Sequence, residues 1–217
     1  KEVERLGMES RFIGGHPMTG SEKTGILSAT NTLLENAYYI ITPTALTPKE
    51  EISEFRDFVL SLGAIPLILD YKIHDYSTAA ISHLPHMIAY SLVNLVHQID
   101  DDKETMKTIA AGGFKDITRI ASSSPVMWQS ICASNREPLL SLMDQYLALL
   151  TKLRGYIDSS NEQALLSFFQ QAKDYRDSIT LPSVKSPTVY YECFVDLVDE
   201  TGGIAAVAGL LAQYHIS

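Results

Sequence analysis

The sequence predicts a mainly α protein in three parts. The late portion of an alternating α/β domain occupies residues 1–70, and an all-α domain occupies 71–181. After a linker at 182–189, the opening strand and helix of an α+β unit occupy 190–217. Three observations carry this reading. Strand-like and helix-like stretches alternate before position 70, and only helical periodicity follows it. The run HDYSTAAISHLPHMIAYSLVNLVHQI, residues 74–99, is apolar on almost every side at helical spacing, which describes a helix surrounded by protein. LPSVKSPT, with two prolines and two serines, then breaks the helical pattern before a last segment too short to bury a core.

KEVERLGM reads as the end of a helix, and RFIGG as a short buried strand that runs into His16-Pro17 and the polar loop MTGSEKTG. A histidine at the carboxyl end of a strand stands where open α/β sheets place their ligands, so His16 is a site candidate. NAYYIITP, rich in aromatic and β-branched residues, is a strand that Pro43 closes. Pro48 starts a helix through EEISEFRDFVLSLG, with Gly63 at its end, and AIPLILD is a third strand. No G-x-G-x-x-G turn follows any of these strands, so no dinucleotide phosphate cradle is visible.

Down one side of the run at 74–99 go Tyr76, His83, Tyr90 and His97 at intervals of seven, with His86 one turn beyond His83. Histidines on buried helices are more often hydrogen-bonded core groups than catalysts. Pro85 between these two shifts that balance: it has no N–H for the carbonyl of Ile81, and the resulting kink costs roughly 3 kcal/mol. The helices that follow are DDKETMKTIAA, FKDITRIA, a helix started by Ser124-Pro125 through VMWQSICAS, then REPLLSLMDQYLALLTKLRGYI and NEQALLSFFQQAKDYRDSI. On a helix opening near Phe114, Lys115 and Arg119 are four apart and share a face, so two cations converge on one anion while Asp116 orients the guanidinium. Taken alone, KDITR reads rather as a solvated salt-bridge ladder, but the small residues Gly112, Gly113, Ala121 and Ser122 beside it permit close backbone approach and favour a packed site.

At 217 residues and 46% hydrophobic the chain is globular, and its net charge of −9 argues against nucleic acid or an anionic membrane surface as partner. Only Cys132 and Cys193 are present, far apart, which fits a reducing cytoplasm and no disulfide framework. The chain opens on KEVERLGMES without an initiator Met or signal features, and nowhere has eighteen consecutive apolar residues. The expectation is a soluble protein whose natural start lies upstream.

Three phrases, in their order and spacing, closely resemble the prephenate dehydrogenase family of tyrosine biosynthesis: GGHPMTGSEKTG (residues 14–25), HDYSTAAISHLPH (74–86) and GGFKDITRIASSSPVMW (112–128). The resemblance covers essentially the whole chain. It implies an oxidoreductase using NAD or NADP. In such an enzyme the C-terminal part of a Rossmann-like nucleotide-binding domain (1–70) precedes a helical dimerisation and substrate-binding domain (71–181), in which helices of two subunits intertwine as a homodimer. The family's glycine-rich motif and a catalytic-site serine are expected upstream of Lys1, which leaves the isolated fragment inactive. The tail from Tyr190 resembles the first strand and helix of an ACT domain, a regulatory module, with Thr201-Gly202 where Pro-Gly is common. It raises feedback by tyrosine as a question.

Carried over residue by residue, the family's catalytic histidine matches His16, its gating glutamate Glu22, its S-H-L-P-H histidines His83 and His86, and its substrate-carboxylate arginine Arg119; Lys115 and Asp116 match that arginine's polar neighbours. Prephenate is a dianion with a C4 hydroxyl, and oxidising that carbinol makes a ring that aromatises as carbon dioxide leaves. His16 would accept from the hydroxyl, Arg119 would clamp a carboxylate, and His86 would contact the side-chain end. His83 is open between holding local structure and touching substrate, and Glu22, by pairing with Arg119, would gate access. Three alternatives stand beside this reading: an arogenate dehydrogenase, a non-catalytic helical dimer, and a metal hydrolase built on His16, His83 and His86, which lacks a carboxylate ligand.

Overall fold

The computed structural model describes residues 2–20, 25–26, 29–30, 32–179, 195, 197 and 201–214. The chain divides into two compact units, Lys1–Val184 and Lys185–Ser217.

The first unit opens with α1 (Glu2–Arg5) and a mixed three-stranded sheet of β1 (Ile13–Pro17), β2 (Tyr38–Pro43) and β3 (Ile65–Ile68), ordered β1-β2-β3. β1 runs antiparallel to β2, with His16 opposite Ile40, whereas β2 and β3 are parallel and joined through α2 (Lys49–Ser61). Such a parallel pair needs a crossover, and the apolar side of α2 supplies its cover. Val59 of α2 is fully buried against Ile41 and Ala64, with Tyr39 and Phe55 packed around them. Gly63 ends the helix with φ +76°, a conformation that a side chain would strain.

One continuous helical run, Tyr71–Ile99, follows. It begins three residues before the expected start, because the Asp70 carboxylate accepts a hydrogen bond from the Lys72 N–H at 2.8 Å and caps it. It is built of α3 (Tyr71–Thr78), a π-turn (Ala79–His83) and α4 (Leu84–Ile99). The Leu84 N–H reaches the Ala79 carbonyl, five residues back. The expected disturbance at Pro85 therefore takes the form of a π-turn, which leaves the proline in the first turn of α4, where its missing N–H costs least.

The remaining helices are α5 (Thr105–Ile109), α6 (Gly112–Thr118), α7 (Pro125–Ser134), α8 (Arg136–Asp158) and α9 (Glu162–Ser178). α6 tightens into a 3₁₀ turn at Arg119–Ser122. Ser124 caps α7 and Asn161 caps α9 through their side chains. Ala89 on α4, Trp128 on α7, and Leu139 and Leu142 on α8 are buried.

Within this one chain the run Tyr71–Ile99 is only partly covered: Ile81 is 69% exposed, and Leu95 and Ile99 are more than half exposed. By length and composition alone it could cross a bilayer. It also carries His74, Asp75, His83 and His86, polar groups that are expensive in hydrocarbon.

In the second unit, α10 (Gly203–Gln213) starts from Gly202 at φ +97°. The expected linker LPSVKSPT and the strand opening at Tyr190 lie outside the described residues, as does Glu22.

Candidate active site

β1 carries His16 beside two glycines because the strand lies close against β2. A Cβ on Gly14 would stand 2.2 Å from the Thr42 hydroxyl, and one on Gly15 2.7 Å from that of Tyr39. The half-buried His16 ring meets His74, 58 residues later: Nδ1 of His16 is 2.8 Å from Nε2 of His74, with the rings edge to face. Nδ1 of His74 is in turn 2.9 Å from an Asp75 carboxylate oxygen. Burial holds the His16 pKa below the ordinary imidazole value, and the neighbouring His74 pushes the same way.

The π-turn and α4 bring two more imidazoles. His83 is lowered by burial first, then by His16 and His86, with Asp75 opposing. The Asn135 amide donates to Nδ1 of His83 at 3.2 Å and to the Asp75 carbonyl at 2.8 Å. His86 donates from Nδ1 to the Ser82 carbonyl at 2.9 Å, and its ring stacks on Trp128 with centroids 3.7 Å apart. The Tyr90 hydroxyl donates to the Ser123 carbonyl and ties α4 to the turn before α7. The indole Nε1–H of Trp128 is buried and has no hydrogen-bond partner among the described residues.

His16, Met18, His83, His86, Arg119 and Trp128 line a single cavity of about 680 Å³. Arg119 comes to it from the start of the 3₁₀ turn. Lys115 and Asp116 are exposed on α6 and are not part of the lining. A smaller cavity of about 370 Å³, on the side of His16 facing α3, is lined by His74, Asp75, Asn135 and His83 as well. Sequence reasoning assigned no role to His74, Asp75, Asn135 or Trp128. The His-Asp pair at the head of the second phrase and the tryptophan closing the third were the available signals. Among the described residues no cluster of three or more His, Cys, Asp or Glu could hold a metal ion.

A cavity that joins imidazole acceptors to a guanidinium suits a small anion with a hydroxyl to be deprotonated. Residues 1–66 match the profile "Prephenate dehydrogenase, nucleotide-binding domain", and residues 70–171 match "Prephenate dehydrogenase, dimerization domain". The chain belongs to the prephenate dehydrogenase family. Within that family it is 38% identical over 207 residues to a prephenate dehydrogenase of Bacillus subtilis (strain 168), covering 95% of this chain and 56% of the relative. The crystal structure of an Aquifex aeolicus prephenate dehydrogenase in complex with hydroxyphenyl propionate and NAD+ superposes with a TM-score of 0.77 at 31% identity, covering 82% of this chain and 62% of the other. A Synechocystis arogenate dehydrogenase gives 0.72 at 30%, covering 79% and 62%. The chain thus spans less than two thirds of each of these family members.

Proposed function

We propose that the protein is an NAD(P)-dependent prephenate dehydrogenase, converting prephenate to 4-hydroxyphenylpyruvate by oxidative decarboxylation in tyrosine biosynthesis. The observation that carries this is the gathering of His16, His86 and Arg119 around one cavity. Arg119 binds a substrate carboxylate through two charge-assisted hydrogen bonds, and His86, stacked on Trp128, shapes the side-chain end. His16 takes the proton of the C4 hydroxyl, for which a neutral imidazole is required. His83, held by Asn135, is a structural neighbour of that base.

The match of residues 1–66 to a nucleotide-binding profile supports a nicotinamide dinucleotide, which supplies the hydride acceptor. The residues of this chain fit that cofactor only in part: they include no glycine-rich turn to cradle its phosphates, so everything assigned above to His16 and Arg119 concerns substrate.

Arogenate, with an ammonium where prephenate has a keto group, is the second reading, favoured by the likeness to the Synechocystis enzyme. The names of the relatives at 38% and 36% identity, both prephenate dehydrogenases, favour prephenate. Comparing initial rates of the full-length protein on the two substrates, with NAD+ and NADP+ in turn, tests this; prephenate is expected to lead in kcat/KM by about tenfold or more. Equal or greater activity on arogenate would reverse the assignment.

The same reading takes residues 71–181 as the dimerisation and substrate-binding part and residues 190–217 as the opening of an ACT-like module through which tyrosine would act. It also places the protein in the cytoplasm. The match of residues 70–171 to a dimerisation profile supports the first of these, and α10 following Thr201-Gly202 is in keeping with the second.

A further inference from the structure

The His16 ring has two nitrogens, and hydrogen bonding at one decides what the other does. A carboxylate only accepts, so Nδ1 of His74, 2.9 Å from Asp75 Oδ1, carries a proton. Neutral His74 then has its lone pair on Nε2, and Nδ1 of His16, 2.8 Å away, is the donor. The remaining nitrogen of His16, Nε2, is left with its lone pair. The chain Asp75–His74–His16 therefore has a direction, set at its acidic end.

We infer that His74, oriented by Asp75, is a positioning residue that holds His16 in the tautomer able to accept the substrate's hydroxyl proton and that opens the route by which this proton leaves. The inference rests on the reading of the protein as a dehydrogenase of a hydroxylated ring. In that reaction the carbinol carbon gives a hydride to an oxidised nicotinamide, the O–H bond breaks as the C=O bond forms, and the proton goes to Nε2 of His16. The proton already on Nδ1 of His16 passes to Nε2 of His74, and the one on Nδ1 of His74 is lost to water beside the Asp75 carboxylate, which stays ionised. Burial supports such a path: the His74 side chain is 17% exposed and that of Asp75 48%, so the relay runs from the substrate cavity outward, past the second cavity, to solvent. Asn135, which donates to the Asp75 carbonyl and to His83, fixes the base of the relay.

The groups facing His16 are His74 and Asp75 from α3, His83 and His86 from the π-turn and α4, and Arg119 from the 3₁₀ turn. Only Asp75 imposes the order of donors and acceptors on the relay. An amide in its place presents an N–H₂ as well as an oxygen and so allows the order to reverse, which leaves Nε2 of His16 protonated and unable to accept.

The test uses the full-length enzyme with Asp75→Asn and His74→Ala. Each is expected to lower kcat by about 10- to 100-fold, the range for residues that orient a catalytic group, with KM for prephenate within about threefold. Added imidazole should restore part of the His74→Ala turnover, because it both accepts and donates, whereas 1-methylimidazole, which cannot donate, should restore less. Without any turnover, ¹⁵N–¹H correlation spectra of the His16 ring should show Nδ1 protonated in the unmodified protein and a gain of the Nε2-protonated form in both variants. Unchanged kcat, a KM that rises in step with the loss, or the same His16 tautomer in all three proteins would overturn the inference. If the unmodified enzyme oxidises neither prephenate nor arogenate, the functional reading fails, and the ring-nitrogen pattern still decides for or against the tautomer assignment.

Discussion

A histidine set between two cavities titrates by the company it keeps. Burial disfavours the imidazolium of His16, so its pKa lies below the ordinary value of about 6.5. Turnover should be level above that value and fall as the pH drops through the lowered pKa, because a protonated ring cannot accept the hydroxyl proton. His16→Asn should lose two to four orders of magnitude in kcat, about the contribution of a general base, and its residual activity should lack the acid limb. A persisting limb would assign the titration to His83, whose pKa is also lowered. Folding stability follows the same sign. Below about pH 6.5 the unfolded chain binds protons that folded His16 and His83 resist, so stability falls as pH drops through that window and rises with pH across it. For Arg119, substitution by lysine keeps the charge and removes the planar pair of donors. Arg119→Lys should raise KM for prephenate by about tenfold, near 1.4 kcal/mol, with little change in kcat, read from steady-state kinetics.

The β1–β2 pair is the element on which the position of His16 depends, and its two glycines are what let the strands approach. Gly15 faces the Tyr39 side chain so closely that an added methyl would meet its hydroxyl and two ring carbons within 3.2 Å. Gly15→Ala should therefore push Tyr39 off Phe55, its edge-to-face partner, and destabilise the unit by about 1–3 kcal/mol, the range for overpacking. Thermal unfolding followed by circular dichroism measures this; an unchanged melting temperature would mean that Tyr39 swings aside freely. The π-turn is the second such element. It gives Pro85 a place in a first helical turn and lets His83 and His86 both line the substrate cavity while His86 stacks on Trp128.

At the scale of the whole molecule, the apolar surface of the helical part is large for a chain on its own. Ile81 on the π-turn, Leu147 and Ile157 on α8, and Leu166 and Phe169 on α9 are each more than half exposed. Large apolar side chains left exposed in this number on the helical part point to association. With the dimerisation profile over residues 70–171, the expected cover is a second copy of the chain, burying more than about 2,000 Å² in total. Sedimentation velocity should show a dimer that persists on dilution, and Leu147→Glu should weaken it; a monomer at all concentrations would refute this.

What the sequence by itself determined was local. Helical spacing, Ser124-Pro125 ahead of α7 and Asn161 ahead of α9 mark their elements because periodicity and capping act within a turn or two of chain. The start of the central run was misjudged by three residues because Asp70 serves equally to end a strand and to cap a helix. Tertiary structure decided what needs distance and direction. Lys115 and Arg119, on one face by helical counting, part company where α6 tightens into a 3₁₀ turn, and only Arg119 lines the cavity. A His-Asp pair in the sequence does not say which way its ring points, so the bond between His16 and His74 is decided only where β1 brings His16 to α3. Periodicity likewise shows that the central run is apolar all round and not what covers it, because burial belongs to the partner surface rather than to the helix.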